Sequence, residues 1–176
     1  MDNQFLPVDY KVPKTESKYM RFKQGQNKFR ILSSPIIGIE GWTVDKKPVR
    51  VRMNEKLPNV EMKKGDKVKH FWAMPVYNYA ESKIQILEIT QSGIQAVIKE
   101  YVDNEDWGSP LEYDLTVNRV GELLETEYTV IASPAKALNV IAQKMWTETQ
   151  AKGFNLNKLF TNENPFGDEP IEEEQN

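Results

Sequence analysis

Cations and aromatic rings are interleaved between Lys67 and Tyr79, where the chain reads Lys-Val-Lys-His-Phe-Trp-Ala-Met-Pro-Val-Tyr-Asn-Tyr. Lysine side chains neutralise phosphates, and flat rings offer surfaces on which unpaired bases stack. The stretch therefore predicts one strand of a surface that binds single-stranded nucleic acid.

A strand from Val68 to about Tyr77 would place Lys67, Lys69 and Phe71 on one side and Trp72 on the other, because alternate side chains share a face. The alternation alone does not indicate which of the two sides faces solvent. Lysines rarely point into cores, which makes the side that carries Lys67, Lys69 and Phe71 the likelier DNA face; Phe71 and Trp72 both stay candidates for the stacking ring.

Basic residues are concentrated in the first part of the chain, although the whole carries a net charge of −3. Residues 1–70 contain 16 Lys/Arg against 8 Asp/Glu. In the densest segment, residues 46–69, Arg50 and Arg52 alternate with apolar residues and would form a row of phosphate ligands on one strand face. A solvated charged face is the simpler alternative.

Hydrophobic periodicity predicts about six strands between residues 28 and 131 and a helix over residues 91–102. A second helix is expected to begin at Ser133-Pro134 and to stop at Gly153. The predicted fold is mainly β with two helices, an OB-type barrel with an inserted helix and a C-terminal helix.

Three segments are expected along the chain. Residues 1–20 form a flexible basic arm, residues 21–158 the binding domain, and residues 159–176 a disordered acidic tail with six acids and no base.

The amino-acid composition excludes several classes of site. The chain has no cysteine and one histidine, so disulfides, iron–sulfur clusters and thiolate zinc sites cannot form. Neither a signal peptide nor an apolar run of about 18 residues is present, so a cytoplasmic protein is expected. No nucleophile, phosphate loop or metal-ligand spacing indicates an enzyme or a cofactor. A metal-dependent nuclease and an RNA- or protein-binding module remain the alternatives.

Four segments together resemble the tailed-phage single-stranded DNA-binding proteins: residues 20–32, 69–76, 84–89 and 110–117. The resemblance implies an OB-fold core that coats and protects single-stranded DNA without sequence preference during replication, recombination or repair. It also implies that Trp72 takes part if a bulge near Pro75 changes the alternation. One branch of that family holds zinc through cysteines and a histidine, and this chain departs from it because His70 is its only residue of either type.

The residues expected to contact DNA are Arg30, Trp42, Lys46, Lys47, Arg50, Arg52, Lys67, Lys69, Phe71, Trp72, Tyr77, Tyr79 and Arg119. The alternative for Trp42 is that it packs on the core. The alternative for Arg30 and Arg119 is that each forms an ordinary salt bridge within the protein.

The acidic tail has a role that the resemblance implies. It would compete with DNA for the basic surface and, when displaced, recruit replication or recombination proteins; self-association on DNA is left open. The tail residues expected to bind partner proteins are Phe166, Asp168, Glu169, Ile171, Glu172, Glu173 and Glu174. A purely solubilising tail is the alternative.

Overall fold

A computed structural model describes residues 5–10, 17–58, 61–65 and 67–167. Within them, eight strands form one mixed sheet: β1 (Tyr19–Met20), β2 (Gly25–Ile31), β3 (Ile36–Trp42), β4 (Pro48–Arg52), β5 (Lys69–Asn78), β6 (Lys83–Ile89), β7 (Leu115–Val120) and β8 (Glu127–Ala132). Two α-helices, α1 (Ser92–Asp103) and α2 (Val140–Ala151), and three 3-10 helices, at Pro110–Glu112, Leu123–Glu125 and Leu156–Thr161, complete the elements.

The ten-residue strand β5 is the centre of the sheet. One edge pairs with β6, from Trp72↔Ile89 to Asn78↔Lys83. The other edge is shared, because β3 pairs with its first half and β2 with its second half. The strand order is β1-β6-β5-β2-β7-β8, and β4 extends β3 as a hairpin.

The two ends of this order, β1 and β8, are not paired to each other in the described part of the chain, so the strands do not close into a barrel. The mainly β architecture with two α-helices is confirmed. The OB-type assignment stays a prediction.

One side of the sheet, which we call the core face, carries Met74 and Val76 of β5. It packs with Phe29 of β2 and is covered by α1 through Ile94 and Ile98, which fall four residues apart on one helix side. The periodicity that predicted α1 therefore identified the helix that closes the main core.

The opposite side, the C-terminal face, carries Phe71 and Ala73 of β5. Leu156 and Leu159 of the last 3-10 helix cover them, and Leu159 is only 2% exposed. Disorder was expected for residues 159–176, but the structure packs residues 159–167 on the sheet because their apolar side chains fill this face. The predicted tail residues Asp168, Glu169, Ile171, Glu172, Glu173 and Glu174 lie outside the described residues.

Helix α2 begins later than its Ser133-Pro134 signal predicts. The backbone N–H groups of Ser133 and Lys136 donate to the carbonyls of Asp114 and Glu112, so they do not initiate a helix. The Asn139 side chain caps the helix instead, accepting from the Ala142 N–H at 2.7 Å.

Gly38 of β3 is paired with Phe71 of β5 and has no room for a side chain, and we predict that Gly38→Ala lowers the free energy of unfolding by about 1–3 kcal/mol. An added Cβ would lie 2.3 Å from the Val51 carbonyl oxygen and 2.8 Å from the Phe71 ring. Urea denaturation measures the loss. Gly93→Ala in α1 is the control, since its Cβ meets nothing within 4 Å; equal stability of the two variants would contradict the close approach.

Candidate nucleic-acid interface

A groove of about 880 Å³ opens at the edge of the C-terminal face. We call it the Trp42 groove. Its lining residues are Tyr19, Met20, Arg21, Glu40, Trp42, Lys47, Pro48, Arg50, Lys69, Glu88, Thr90, Gln91, Leu159, Asn162 and Glu163. It brings together four residues of the predicted DNA-contact set: Trp42, Lys47, Arg50 and Lys69.

Strand register explains why these side chains converge. Glu40 of β3 is directly opposite both Arg50 of β4 and Lys69 of β5, so the three side chains share one face. Trp42 lies two residues after Glu40 and points to the same face. Its side chain is 42% exposed.

The floor of the groove is a buried ion cluster made of Glu40, Arg50 and Glu88. The Arg50 Nε atom lies 3.3 Å from Glu40 Oε2, and its Nη2 donates to Glu88 Oε2 at 2.9 Å. The side chains of Arg50 and Glu40 are each only 8% exposed. Arg50 is therefore held by two carboxyl groups instead of presented to solvent.

The pair Arg50 and Arg52 does not form the expected row of phosphate ligands. Arg52 is exposed, but its guanidinium carbon lies 4.5 Å from the centroid of the Phe160 ring. Because the 3-10 helix covers this strand face, one arginine is buried in ion pairs and the other stacks on a ring. The prediction that both are exposed on one open strand face is wrong.

The rim of the groove carries the accessible cations. Arg21, Lys47 and Lys69 are exposed and line the same space as the Trp42 indole. Lys46 and Lys67, also exposed, are not among the lining residues. The arrangement is an exposed ring flanked by lysine and arginine side chains, above a neutralised floor.

Of the two β5 rings that were candidates for stacking, Phe71 is buried and Trp72 is half-buried. Phe71 has no exposed surface and packs beneath the C-terminal residues, so its predicted role as an exposed stacking ring is wrong. Trp72 is half-buried on the core face, where its Nε1 donates to His70 Nε2 at 3.2 Å. The pairing with β6 runs without interruption through Pro75↔Ile86, so the alternation does not change there.

Arg30 and Tyr79 belong to a second polar cluster, centred on Asp114, and the Tyr77 ring packs on Tyr79 with centroids 5.1 Å apart. Arg30 Nε and the Tyr79 hydroxyl each donate to Asp114 Oδ1 at 2.8 Å. Arg30 is 2% and Tyr77 5% exposed, so neither side chain is open to a DNA strand as expected, and Arg30 forms the salt bridge that was its alternative.

Ionisation within this second cluster follows from its contacts. Burial opposes the charge on Asp114, but hydrogen bonds from Tyr79 and Arg30 outweigh it and hold the pKa of Asp114 below its usual value. Burial and the bond to Asp114 raise the pKa of Tyr79 to about 12. The cluster fixes β2 against β7 and leaves little of Arg30 for a ligand.

Arg119 is separate from both clusters. Its Nη1 donates to the Phe22 carbonyl oxygen at 2.9 Å, which ties β7 to the segment before β2. The structure thus gathers four of the expected residues in one groove and assigns packing or internal hydrogen bonds to most of the others.

Three groove residues had no signal in the sequence pattern. Tyr19 and Arg21 belong to or follow β1, which has two residues and is too short for an alternation pattern. Glu88 lies 38 residues from its partner Arg50. Only the parallel pairing of β1 with β6 brings these positions to the groove.

No protein-family model, curated protein or solved structure matches this chain. In the described part of the chain, no helix has the length and apolar character needed to cross a membrane. The same residues contain no group of three or more His, Cys, Asp or Glu side chains placed to hold a metal ion.

The ion cluster predicts a pH dependence of stability. Burial, together with the hydrogen bond and charge of Glu88, raises the pKa of Glu40 from 4.5 to about 8, against the opposing effect of Arg50. A raised carboxyl pKa means that the folded state binds more protons than the unfolded state between these values. The contribution to stability is therefore complete below pH 4.5 and is lost as pH rises through about 8.

We expect Glu40→Gln, which keeps a neutral side chain of similar shape, to reduce this loss of stability as the pH rises from about 6 to about 9. Denaturant unfolding across that range measures it. Glu100→Gln, at an exposed position of α1, is the control and should keep the pH profile of the unmodified protein. An unchanged profile in Glu40→Gln would contradict the assignment.

Proposed function

We propose that the protein binds single-stranded DNA without sequence preference and protects it during replication, recombination or repair. The observation that carries this proposal is the Trp42 groove, in which an exposed indole lies beside Arg21, Lys47 and Lys69. A ring for base stacking with cations for phosphates is the combination that sequence-tolerant single-strand binding requires.

The shape of the groove supports a single strand over a duplex. Its volume of about 880 Å³ is bounded by β1, the β3–β4 hairpin and residues 159–163. An indole stacks only on a base face that is not covered by its neighbour in a duplex. The floor is neutralised by the Glu40–Arg50–Glu88 cluster, so backbone phosphates would be held at the rim.

An OB-type fold belongs to the same proposal. It is supported by a mainly β domain in which β5 is shared by three partner strands and α1 is inserted between β6 and β7. OB folds bind oligonucleotides on a strand face and its adjoining loops. The Trp42 groove combines strand residues of β3, β4 and β5 with the turn that carries Lys47.

The acidic residues after Gly167 would act on the same function, by competing with DNA for cations and by recruiting replication or recombination proteins. Phe166 contributes differently from the anchor role expected of it, because its ring packs on Phe154 with centroids 5.2 Å apart. It is half-buried and belongs to the apolar cluster of the C-terminal face.

Removing the Trp42 ring should weaken single-strand binding. We predict that Trp42→Ala lowers affinity for oligo-dT by about 5- to 150-fold, the equivalent of about 1–3 kcal/mol for one stacked base. Trp42→Phe, which keeps an aromatic ring, should lose less affinity than Trp42→Ala. Fluorescence anisotropy with labelled oligo-dT measures both.

The matched control for Trp42 is Val44→Ala, an exposed apolar residue in the same hairpin turn. It should bind as tightly as the unmodified protein. If Val44→Ala loses as much affinity as Trp42→Ala, the effect arises from the hairpin and not from stacking.

Neutralising a rim lysine should change the salt dependence. For Lys47→Gln and for Lys69→Gln, we expect the log–log slope of affinity against salt to become shallower by about 0.7 for each phosphate that is no longer neutralised. Titrations over a series of NaCl concentrations give the slope. Lys99→Gln on α1, whose lysine pairs with Asp103, should leave the slope unchanged, and the same slope in all three variants would refute phosphate binding at the rim.

A further inference from the structure

A second groove, of about 540 Å³, lies between the start of β6, the residues before β1 and helix α2. We call it the lysine groove because Lys18, Lys83 and Lys152 line it, with Glu148 as the one acid among its lining residues. Three lysines with a single carboxylate are suited to neutralising phosphates.

A smaller pocket of about 160 Å³, which we call the connecting pocket, has lining residues in common with both grooves. It shares Tyr19 and Arg21 with the Trp42 groove and Ser17 with the lysine groove, and Lys23 also lines it. The segment from Ser17 to Lys23 therefore borders all three spaces. Among its cations, Lys18 lines the lysine groove, Arg21 lines the Trp42 groove and the connecting pocket, and Lys23 lines the connecting pocket, where it pairs with Glu81 at 3.7 Å.

This segment is anchored, although a flexible arm was expected up to residue 20. Tyr19 and Met20 pair with Ile86 and Leu87 of β6, and the Ile86 N–H donates to the Lys18 carbonyl at 2.8 Å. Met20 is 5% exposed and belongs to the main core. The backbone that carries Lys18 and Arg21 is therefore anchored at the sheet edge, which reduces the entropic cost of ordering this segment on binding.

We propose that a bound single strand of DNA continues from the Trp42 groove past Arg21 and Lys23 into the lysine groove, where its phosphates meet Lys18, Lys83 and Lys152. This extended path rests on the proposed single-strand binding. It adds the route of the DNA strand across the protein surface and a second region of contact. Bases stack at the Trp42 end, and the lysine end contributes charge neutralisation.

The competing occupant of the lysine groove is the acidic segment of residues 168–176. It follows Gly167 directly, and Phe166 lines the groove. Shared lining residues favour the DNA strand, because Tyr19 and Arg21 line both the Trp42 groove and the connecting pocket. Lys23 of that pocket is already paired with Glu81 at 3.7 Å. The experiment distinguishes the two occupants.

The test compares two double variants of the full chain that remove equal charge: Lys18→Gln with Lys152→Gln, and Lys99→Gln with Lys144→Gln as the control. Lys99 and Lys144 are exposed and line none of the three spaces. Each is titrated with oligo-dT of about 6 and about 20 nucleotides, since a single OB fold covers about 4–16. Circular dichroism confirms that both variants fold.

We expect the Lys18/Lys152 variant to bind the long oligonucleotide with a salt slope shallower by about 1.4, which is two phosphate contacts at about 0.7 each. Its binding of the short oligonucleotide should equal that of the control. Equal slopes for the two variants with the long oligonucleotide would overturn the extended path, while intact binding of the short one would leave the proposed function standing. Failure of the unmodified protein to bind either oligonucleotide would instead overturn the proposed function.

The role of the tail is tested in the background of Glu172→Gln, Glu173→Gln and Glu174→Gln. The slope difference between the lysine variant and its control should persist there if DNA occupies the groove. Disappearance of the difference in that background would assign the groove to the tail and overturn the proposal.

Discussion

Burial of β5 on both faces and along both edges is the constraint from which the binding surface follows. Its edges pair with β6 on one side and with β2 and β3 on the other. Its core face packs under α1, and its C-terminal face packs under residues 156–160. Lys69 and His70 at its start are exposed, Trp72 is half-buried, and the rest of the strand is buried, so the strand contributes to the surface mainly at its start.

The ion cluster of Glu40, Arg50 and Glu88 is the second determinant of the site. Charges removed from water need close partners, and a buried cation with two carboxyl groups satisfies this best when one carboxyl keeps its proton. Burial therefore raises the pKa of Glu40 to about 8, and the cluster carries little net charge near neutral pH. Phosphates would therefore be bound by the exposed lysine and arginine side chains of the rim.

Alternation of apolar residues predicted β2 to β8, and apolar residues at i, i+3, i+4 and i+7 predicted α1, because these elements depend on local spacing. The two-residue strand β1 was not predicted. Local spacing could not predict which polar residues are buried, since that depends on distant partners. Arg30 is satisfied by Asp114, which is 84 residues away in the chain. Phe71 is covered by Leu159, which belongs to a segment whose acidic composition indicated disorder.

Only part of the candidate site was predicted, because some of its residues depend on local spacing and others on distant partners. Trp42 and Lys47 lie in or beside a hairpin, and their exposure follows from local turn chemistry. Lys69 was placed correctly on the wet side of its strand, but Phe71, two residues later, passes beneath the C-terminal cover. Tyr19 and Arg21 enter the groove through the short parallel pairing of β1 with β6, which leaves no periodic signal.

The most direct test of single-strand binding is a titration of the full chain, followed by tryptophan fluorescence, with oligo-dT and with duplex DNA of equal length. Trp42 is the most exposed of the four tryptophans, and the other three are half-buried. We predict saturable quenching with oligo-dT and much weaker binding to the duplex. Equal affinity for the two DNAs, or binding of oligo-dT without quenching, would contradict single-strand binding by stacking on Trp42.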